Sequence, residues 1–312
     1  MFEIKRYAKE QEQEWNEFVE RSKNGTFLFD RRYMDYHKDR FTDHSFMFYR
    51  DKKLYAMLPA NVKGDTLFSH QGLTYGGLIT SNEARTVHVM EMFRMLNETL
   101  RNEGIKRVVY KALPFIYHRL PAEEDLYAIH CECNYRIVER DVSSTISPKA
   151  AIKWKKDRRH GLRKAHDMGM IVERSTDLDA FWDVLTANLM ENHDTKPVHS
   201  LAEMKLLNSR FPEKIRLYVS KKGCETMGGC VVYVMNDMVH TQYISATAEG
   251  KKNGAIDIII DHLLHKEFSN FTYLDFGKST EGHSKILNED LIYQKEGFGG
   301  RAVCYDTYEW TL

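Results

Sequence analysis

Asp275 and His240 are the residues whose types and setting most invite chemistry. Asp275 opens the run Asp275-Phe276-Gly277-Lys278, at the close of an apolar segment (Phe271 to Phe276) that reads as a strand. A strand end can present a carboxylate and an amine to a cleft. There Asp275 can orient or deprotonate an amine and Lys278 can offset negative charge, although an Asp at such a position also caps loops. His240 belongs to an earlier segment, Met238 to Ala246, rich in Val239, Thr241, Tyr243 and Ile244, which favour a pleated surface. Strand alternation puts His240 and Gln242 on one face, and Thr241, Tyr243 and Ser245 on the other. An imidazole titrates near neutrality and suits taking a proton from an attacking amine; a single His is more often structural. Direct acyl transfer needs such an acceptor, and backbone N–H groups to stabilise the carbonyl oxygen. No Ser-His-Asp or Cys-His arrangement stands at a familiar spacing, so a covalent enzyme intermediate is not expected.

The segment after Ala246 reads as a loop, Thr247 to Gly254, followed by a helix, Ala255 to Phe268, apolar on most faces and therefore buried. Glycine lets backbone approach a ligand closely, and a helix start offers unpaired N–H groups to an anion. Gly250, Lys251, Lys252, Asn253 and Gly254 thus read as a cradle for a phosphate-bearing donor, with Ser245 beside them and Lys295 as a further cation. A second basic stretch carries Lys149, Lys153, Lys155, Lys156, Arg158, Arg159, Arg163 and Lys164 against one acid, Asp157. On a helix from Lys149 to Met168 it forms either a phosphate-binding stripe or a solvated face. Arg158, Arg159 and Lys164 are its candidate substrate contacts, together with Gln242 and Tyr243. His70, Gln71 and Tyr75 lie among glycines in the first half, where they form either an acceptor-reading loop or a packed hairpin. The polar loop His193 to Ser200 is a pocket wall or a connector.

The elements that must position these groups fall into two similar series. At 312 residues the chain is long enough for two domains with full cores. Each half runs through helices, antiparallel strands, a long helix, a strand, a helix and a last strand, with a break at Ser147-Pro148. The expected fold is therefore α/β (α+β), with domains at residues 1–147 and 148–312, each a mixed, mainly antiparallel sheet flanked by helices. Lys plus Arg and Asp plus Glu are each 45, so overall charge selects no partner class and local charge must do so. No apolar run is long enough to span a bilayer, and the polar N-terminus has no signal-peptide core, which points to the cytoplasm. Five cysteines without a framework pattern read as reduced thiols, and Cys131-x-Cys133 is no structural zinc spacing, so no metal is expected.

Three stretches together resemble the FemAB-like branch (peptidoglycan-bridge and BioF2-like proteins) of the GNAT acyltransferase superfamily. They are the basic run Lys155 to Ala165; Met227-Gly228-Gly229-Cys230-Val231-Val232, which leads to Leu274-Asp275-Phe276-Gly277; and Leu291 to Gly300, with its Lys295 and Phe298-Gly299-Gly300. Ser69 to Gly77 is similar to the first-domain segment of acetyltransferase relatives. The resemblance implies two GNAT-like domains and transfer of an acyl or aminoacyl group to an amine of a cell-envelope precursor, a peptidoglycan peptide or an amino sugar. It implies acyl-coenzyme A (acetyl-coenzyme A) or aminoacyl-tRNA as co-substrate, hence tRNA as a partner. Peripheral membrane contact and a monomer or homodimer are compatible with it. The pyrophosphate loop of single-domain relatives has an Arg or Gln two residues ahead of paired small residues, and Glu249 to Ala255 matches that loosely. The competing reading is a non-catalytic protein of the same fold that binds RNA or anionic lipid through residues 149–164.

Overall fold

The computed structural model describes residues 1–150, 152–193 and 196–312. Asp194 and Thr195, within the expected polar loop, lie outside them, as does Ala151. The chain divides into two compact units. The first comprises Met1–Asp141, His283–Lys285 and Cys304–Leu312; the second comprises Val142–Gly282 and Ile286–Val303. The division falls inside a long strand rather than at Ser147-Pro148, and the last residues of the chain join the first unit, where the sequence placed them in the second.

In the first unit, β1 (Phe2–Arg6), β2 (Phe46–Arg50) and β3 (Lys53–Leu58) pair antiparallel. A second set links β4 (Asn61–Lys63), β5 (Thr66–Phe68) and β6 (Arg107–Lys111), with β5 and β6 parallel. Helices α1 (Glu12–Arg21), α2 (Thr86–Asn102) and α3 (Glu124–Glu132) flank these strands. The α2 stripe Val89, Phe93, Leu96 and Leu100 is buried with Val108 and Tyr110 of β6. Such a stripe at helical spacing is what holds a helix this long on a sheet.

The second unit takes its first strand from β7 (Tyr135–Ile146) and then runs through α4 (Lys156–Asp167), β8 (Ile171–Ser175), α5 (Leu178–His193), α6 (Leu201–Arg210), β9 (Ile215–Lys222), β10 (Glu225–Met235) and β11 (Met238–Ala246). Two helices follow, α7 (Ala248–Lys252) and α8 (Ala255–His262), the second continued by a π-turn at Leu263–Glu267. The remainder is β12 (Tyr273–Lys278), α9 (Glu289–Gly297) and β13 (Arg301–Thr311), whose far end pairs with β6 in the first unit. Strands β8 to β11 are antiparallel neighbours in order, β12 lies parallel to β11, and β7 is antiparallel to β12. The second unit is thus a mixed, mainly antiparallel sheet with helices against it, and the first carries its strands in two sets, one antiparallel and one mixed, again flanked by helices. The isoleucine-rich α8 packs with Tyr218, Val232, Val239 and Leu274 in one core cluster. On the α5 side Gly229 is required, because a Cβ there would lie 2.4 Å from the Phe181 ring.

Two expected elements differ. The basic helix begins at Lys156 rather than Lys149, after a short 3-10 turn at Pro148–Ala150. The loop Thr247 to Gly254 contains the helical turn α7, capped by the Thr247 hydroxyl, which accepts from Gly250 N–H at 3.0 Å. A Thr at the N-cap is the local signal for that turn.

Candidate active site

Strands β11 and β12 pair in parallel from Met238 opposite Tyr273 only as far as His240 opposite Asp275, and then separate. Both are irregular at that point. In β11, Val231 of β10 faces Tyr243 and Val232 faces Thr241, which leaves Gln242 as a bulge. In β12 the register to β7 shifts between Asp275 and Lys278, and Gly277 adopts φ +76°. Bulges bend a strand and end its pairing. The result is an opening in the sheet, filled by a cavity of about 480 Å³.

That cavity is lined by Ile244, Ser245 and Ala246 of β11, Phe276 of β12, Asn188 of α5, Lys251 of α7, Ile256 of α8, and Leu291, Gln294 and Lys295 of α9. A second cavity of about 650 Å³ shares Asn188, Ala246 and Lys251 and continues along α7 to Lys252. Ser245, Lys251 and Lys295 therefore line one cavity. Gly250, Asn253 and Gly254 are not among the lining residues. Gly250 is a glycine because a Cβ would lie 2.0 Å from Met227 O, and the Asn253 side chain donates to Glu249 O at 3.0 Å.

Lys295 is buried at the edge of the first cavity. Its ammonium donates to Gly277 O at 2.8 Å, Lys278 O at 2.8 Å and Ser279 Oγ at 2.9 Å. Burial pulls its pKa down to about 8, opposed by the Asp275 charge. The proposed base Asp275 is fully enclosed. Oδ1 accepts from Ser143 at 2.5 Å and Thr145 at 2.8 Å, and Oδ2 from His240 Nδ1 at 2.9 Å and Gly277 N–H at 3.1 Å. Asp275 is not among the residues that line the cavity; its carboxylate is held against His240 and the β12 bend. With Nδ1 facing a carboxylate, the His240 proton belongs on Nδ1, and Nε2 is the basic nitrogen. Lys278 takes part through its carbonyl, which anchors Lys295.

The expected acceptor contacts are dispersed. Arg158 turns inward, 3.3 Å from Asp257 Oδ1 and over the Phe298 ring, whereas Arg159 and Lys164 stay exposed on α4. The Tyr243 hydroxyl lies 2.7 Å from His199 Nδ1, and its ring meets Trp182 edge-on. In the first unit His70 is buried beside His37 and Phe41, and burial lowers its pKa to about 3. Tyr75 is enclosed against Phe29 and Tyr117, and Gln71 is paired with the Asn61 side chain. Tyr75 is thus a packed aromatic, in a turn-rich loop rather than the expected hairpin. Sequence reasoning missed Ser143 and Thr145, small polar residues in a run with no chemical signature. The alternation Ser143-x-Thr145 on a strand was the one available signal.

Among the described residues, no group of His, Cys, Asp or Glu is placed to hold a metal, and no helix is long and apolar enough to cross a membrane.

Residues 153–285, which include the opened strand β11, the buried helix α8 and β12, match the family described as the acetyltransferase (GNAT) domain. The whole chain has a fold similar to that of solved two-domain proteins. It superposes on the crystal structure of FemX with a TM-score of 0.70 at 10% identity, covering 99% of this chain and 97% of that one. L-PGS from Bacillus licheniformis gives 0.62 at 12% identity, covering 98% and 92%. A tandem GNAT protein from the clavulanic acid biosynthesis pathway gives 0.52 at 8%, covering 100% and 98%. No curated protein sequence matches significantly.

Proposed function

We propose that the chain is an N-acyltransferase, moving an acyl or aminoacyl group from a thioester or ester donor to an amine by direct attack. One observation carries this reading: the opening between β11 and β12 holds a cavity lined by both the buried Lys295 and Ser245. In this reading the reactive carbonyl lies along Ile244 to Ala246, where backbone N–H groups stabilise the oxyanion. Lys295, whose ammonium is fixed by Gly277 O, Lys278 O and Ser279 Oγ, is a held cation at the cavity wall that offsets negative charge on the donor. His240 and Asp275 fix the Gly277 bend from which Lys295 hangs. The acceptor is an amine of a cell-envelope precursor, by likeness to FemX and L-PGS. Acetyl-coenzyme A and aminoacyl-tRNA, each offered with a peptidoglycan peptide and with a nucleotide amino sugar, form the test. Product with at least one donor is expected. No product from any pairing, with no donor raising the melting temperature, defeats the reading.

A further inference from the structure

Five large apolar side chains line the first cavity: Ile244 of β11, Ile256 of α8, Phe276 of β12, Leu291 of α9, and Phe298 just past that helix. Phe276 and Phe298 stack at 5.8 Å with 27° between their planes, and Trp154 meets Phe298 edge-on at 5.0 Å. Both phenylalanines are buried in the core cluster of α8, so close packing holds this wall in place. An acetyl group would leave most of the 480 Å³ beside these walls unfilled. A longer chain buried against them strengthens binding by about fourfold per methylene.

The charged groups at the same walls are cations. Lys295 donates to Gly277 O, Lys278 O and Ser279 Oγ, and Lys251 to Asn188 Oδ1, so both ammonium groups have neutral partners there. Among the described residues that line this cavity none is a carboxylate; Asp183 and Glu191 line the second cavity and not this one. Asp275, whose charge reaches Lys295, lies off the wall with its oxygens turned to Ser143, Thr145 and His240. An ammonium on the transferred group would be stripped of water beside two like charges, with no counter-ion in the cavity. The second cavity shares Asn188, Ala246 and Lys251 and leaves room for the carrier outside the first.

We infer that the transferred group is an uncharged apolar acyl chain longer than acetyl, lodged against Phe276 and Phe298, and not an aminoacyl group. The inference rests on the acyl-transfer reading and names its substrate class. Attack by the amine forms the amide C–N bond and breaks the bond from acyl carbon to carrier, whose sulfur or oxygen leaves with the proton the amine loses. The test is equilibrium binding of acetyl-, butanoyl- and hexanoyl-coenzyme A to the full chain. Two further probes, 2-methylbutanoyl- and 2-aminobutanoyl-coenzyme A, differ only by methyl for ammonium. The common carrier cancels in every comparison. Butanoyl should bind about tenfold tighter than acetyl, and the methyl probe about tenfold or more tighter than its amine twin. Phe298→Leu should move the preferred chain to greater length. Leu291→Ala, at a half-buried position, should reduce the gain per methylene. Equal binding of all five thioesters overturns the inference, as does a preference for the amine or an unchanged chain preference in both variants. Binding of an alanyl ester of adenosine with none of the thioesters overturns it while leaving acyl transfer standing. If neither carrier binds, the acyl-transfer reading falls with it.

Discussion

Asp275 Oδ2 accepts a hydrogen bond from His240 Nδ1 at 2.9 Å, at the last paired position before β11 and β12 part. The same carboxylate satisfies Ser143, Thr145 and Gly277 N–H, so one buried charge ties β7, β11 and β12 together. Asp275→Ala would leave those donors buried without an acceptor. A loss of about 3 kcal/mol is expected in urea unfolding. Asp275→Asn should cost less, since the Ser143 and Thr145 hydroxyls can turn to accept from the amide. Equal losses for the two variants would show that the network contributes shape rather than charge.

Gly277 combines a left-handed backbone with close contact to His240, where a Cβ would lie 3.1 Å from Cε1. Gly277→Ala should cost about 1–2 kcal/mol through φ strain and displace the imidazole. The expected readout is a lower melting temperature together with a reduced transfer rate. A melting temperature equal to wild type would contradict the strain.

At Gly254 the obstacle is backbone, which cannot swing aside. Gly254→Ala should destabilise by about 2–3 kcal/mol through overpacking against Gly161 O and positive φ. Gly64, at φ +63° with nothing within 4 Å, is the internal control, and alanine there should cost only about 1 kcal/mol. Similar losses at both positions would mean that α4 does not press on the bend.

The strand Met238 to Ala246 and the helix that follows it were legible because their signals are local. Val239, Thr241, Tyr243 and Ile244 mark a strand, and the isoleucines from Ile256 to Ile260 mark a buried helix. His240 and Asp275 were each legible as candidates, but their contact was not, since it depends on which strands lie side by side. The donor cradle was only half legible. Lys251 reaches the cavity, but Gly250 and Gly254 are glycines for packing against Met227 and Gly161, and nothing in a single sequence separates that need from ligand approach. Arg158 looked like part of a phosphate stripe because its partner, Asp257, lies far along the chain. Ser143 and Thr145 were invisible for the same reason, since their meaning comes from a tertiary contact.

Lys295 has a folded pKa of about 8, below the 10.5 of a free lysine, because burial penalises its charge. Below about pH 8 both folded and unfolded states hold the proton, and the folded state bears the full penalty. As pH rises toward 10.5 the unfolded chain keeps the proton while the folded one releases it, so the penalty is relieved. Relative to Lys295→Met, the wild type should gain about 2 kcal/mol between about pH 7.5 and about pH 9.5 in urea unfolding. A constant difference across that window would show that the amine is not desolvated.

The central claim is that chemistry occurs in the opening between β11 and β12, and Leu291→Trp tests it most directly. Leu291 lies on α9, half-buried at the cavity wall, so an indole there occupies the cavity without entering the sheet core. The account predicts a fall in transfer rate of about a hundredfold or more, about 3 kcal/mol in the barrier, with a melting temperature close to wild type. Wild-type turnover by this variant, with the same donor and acceptor, would contradict it.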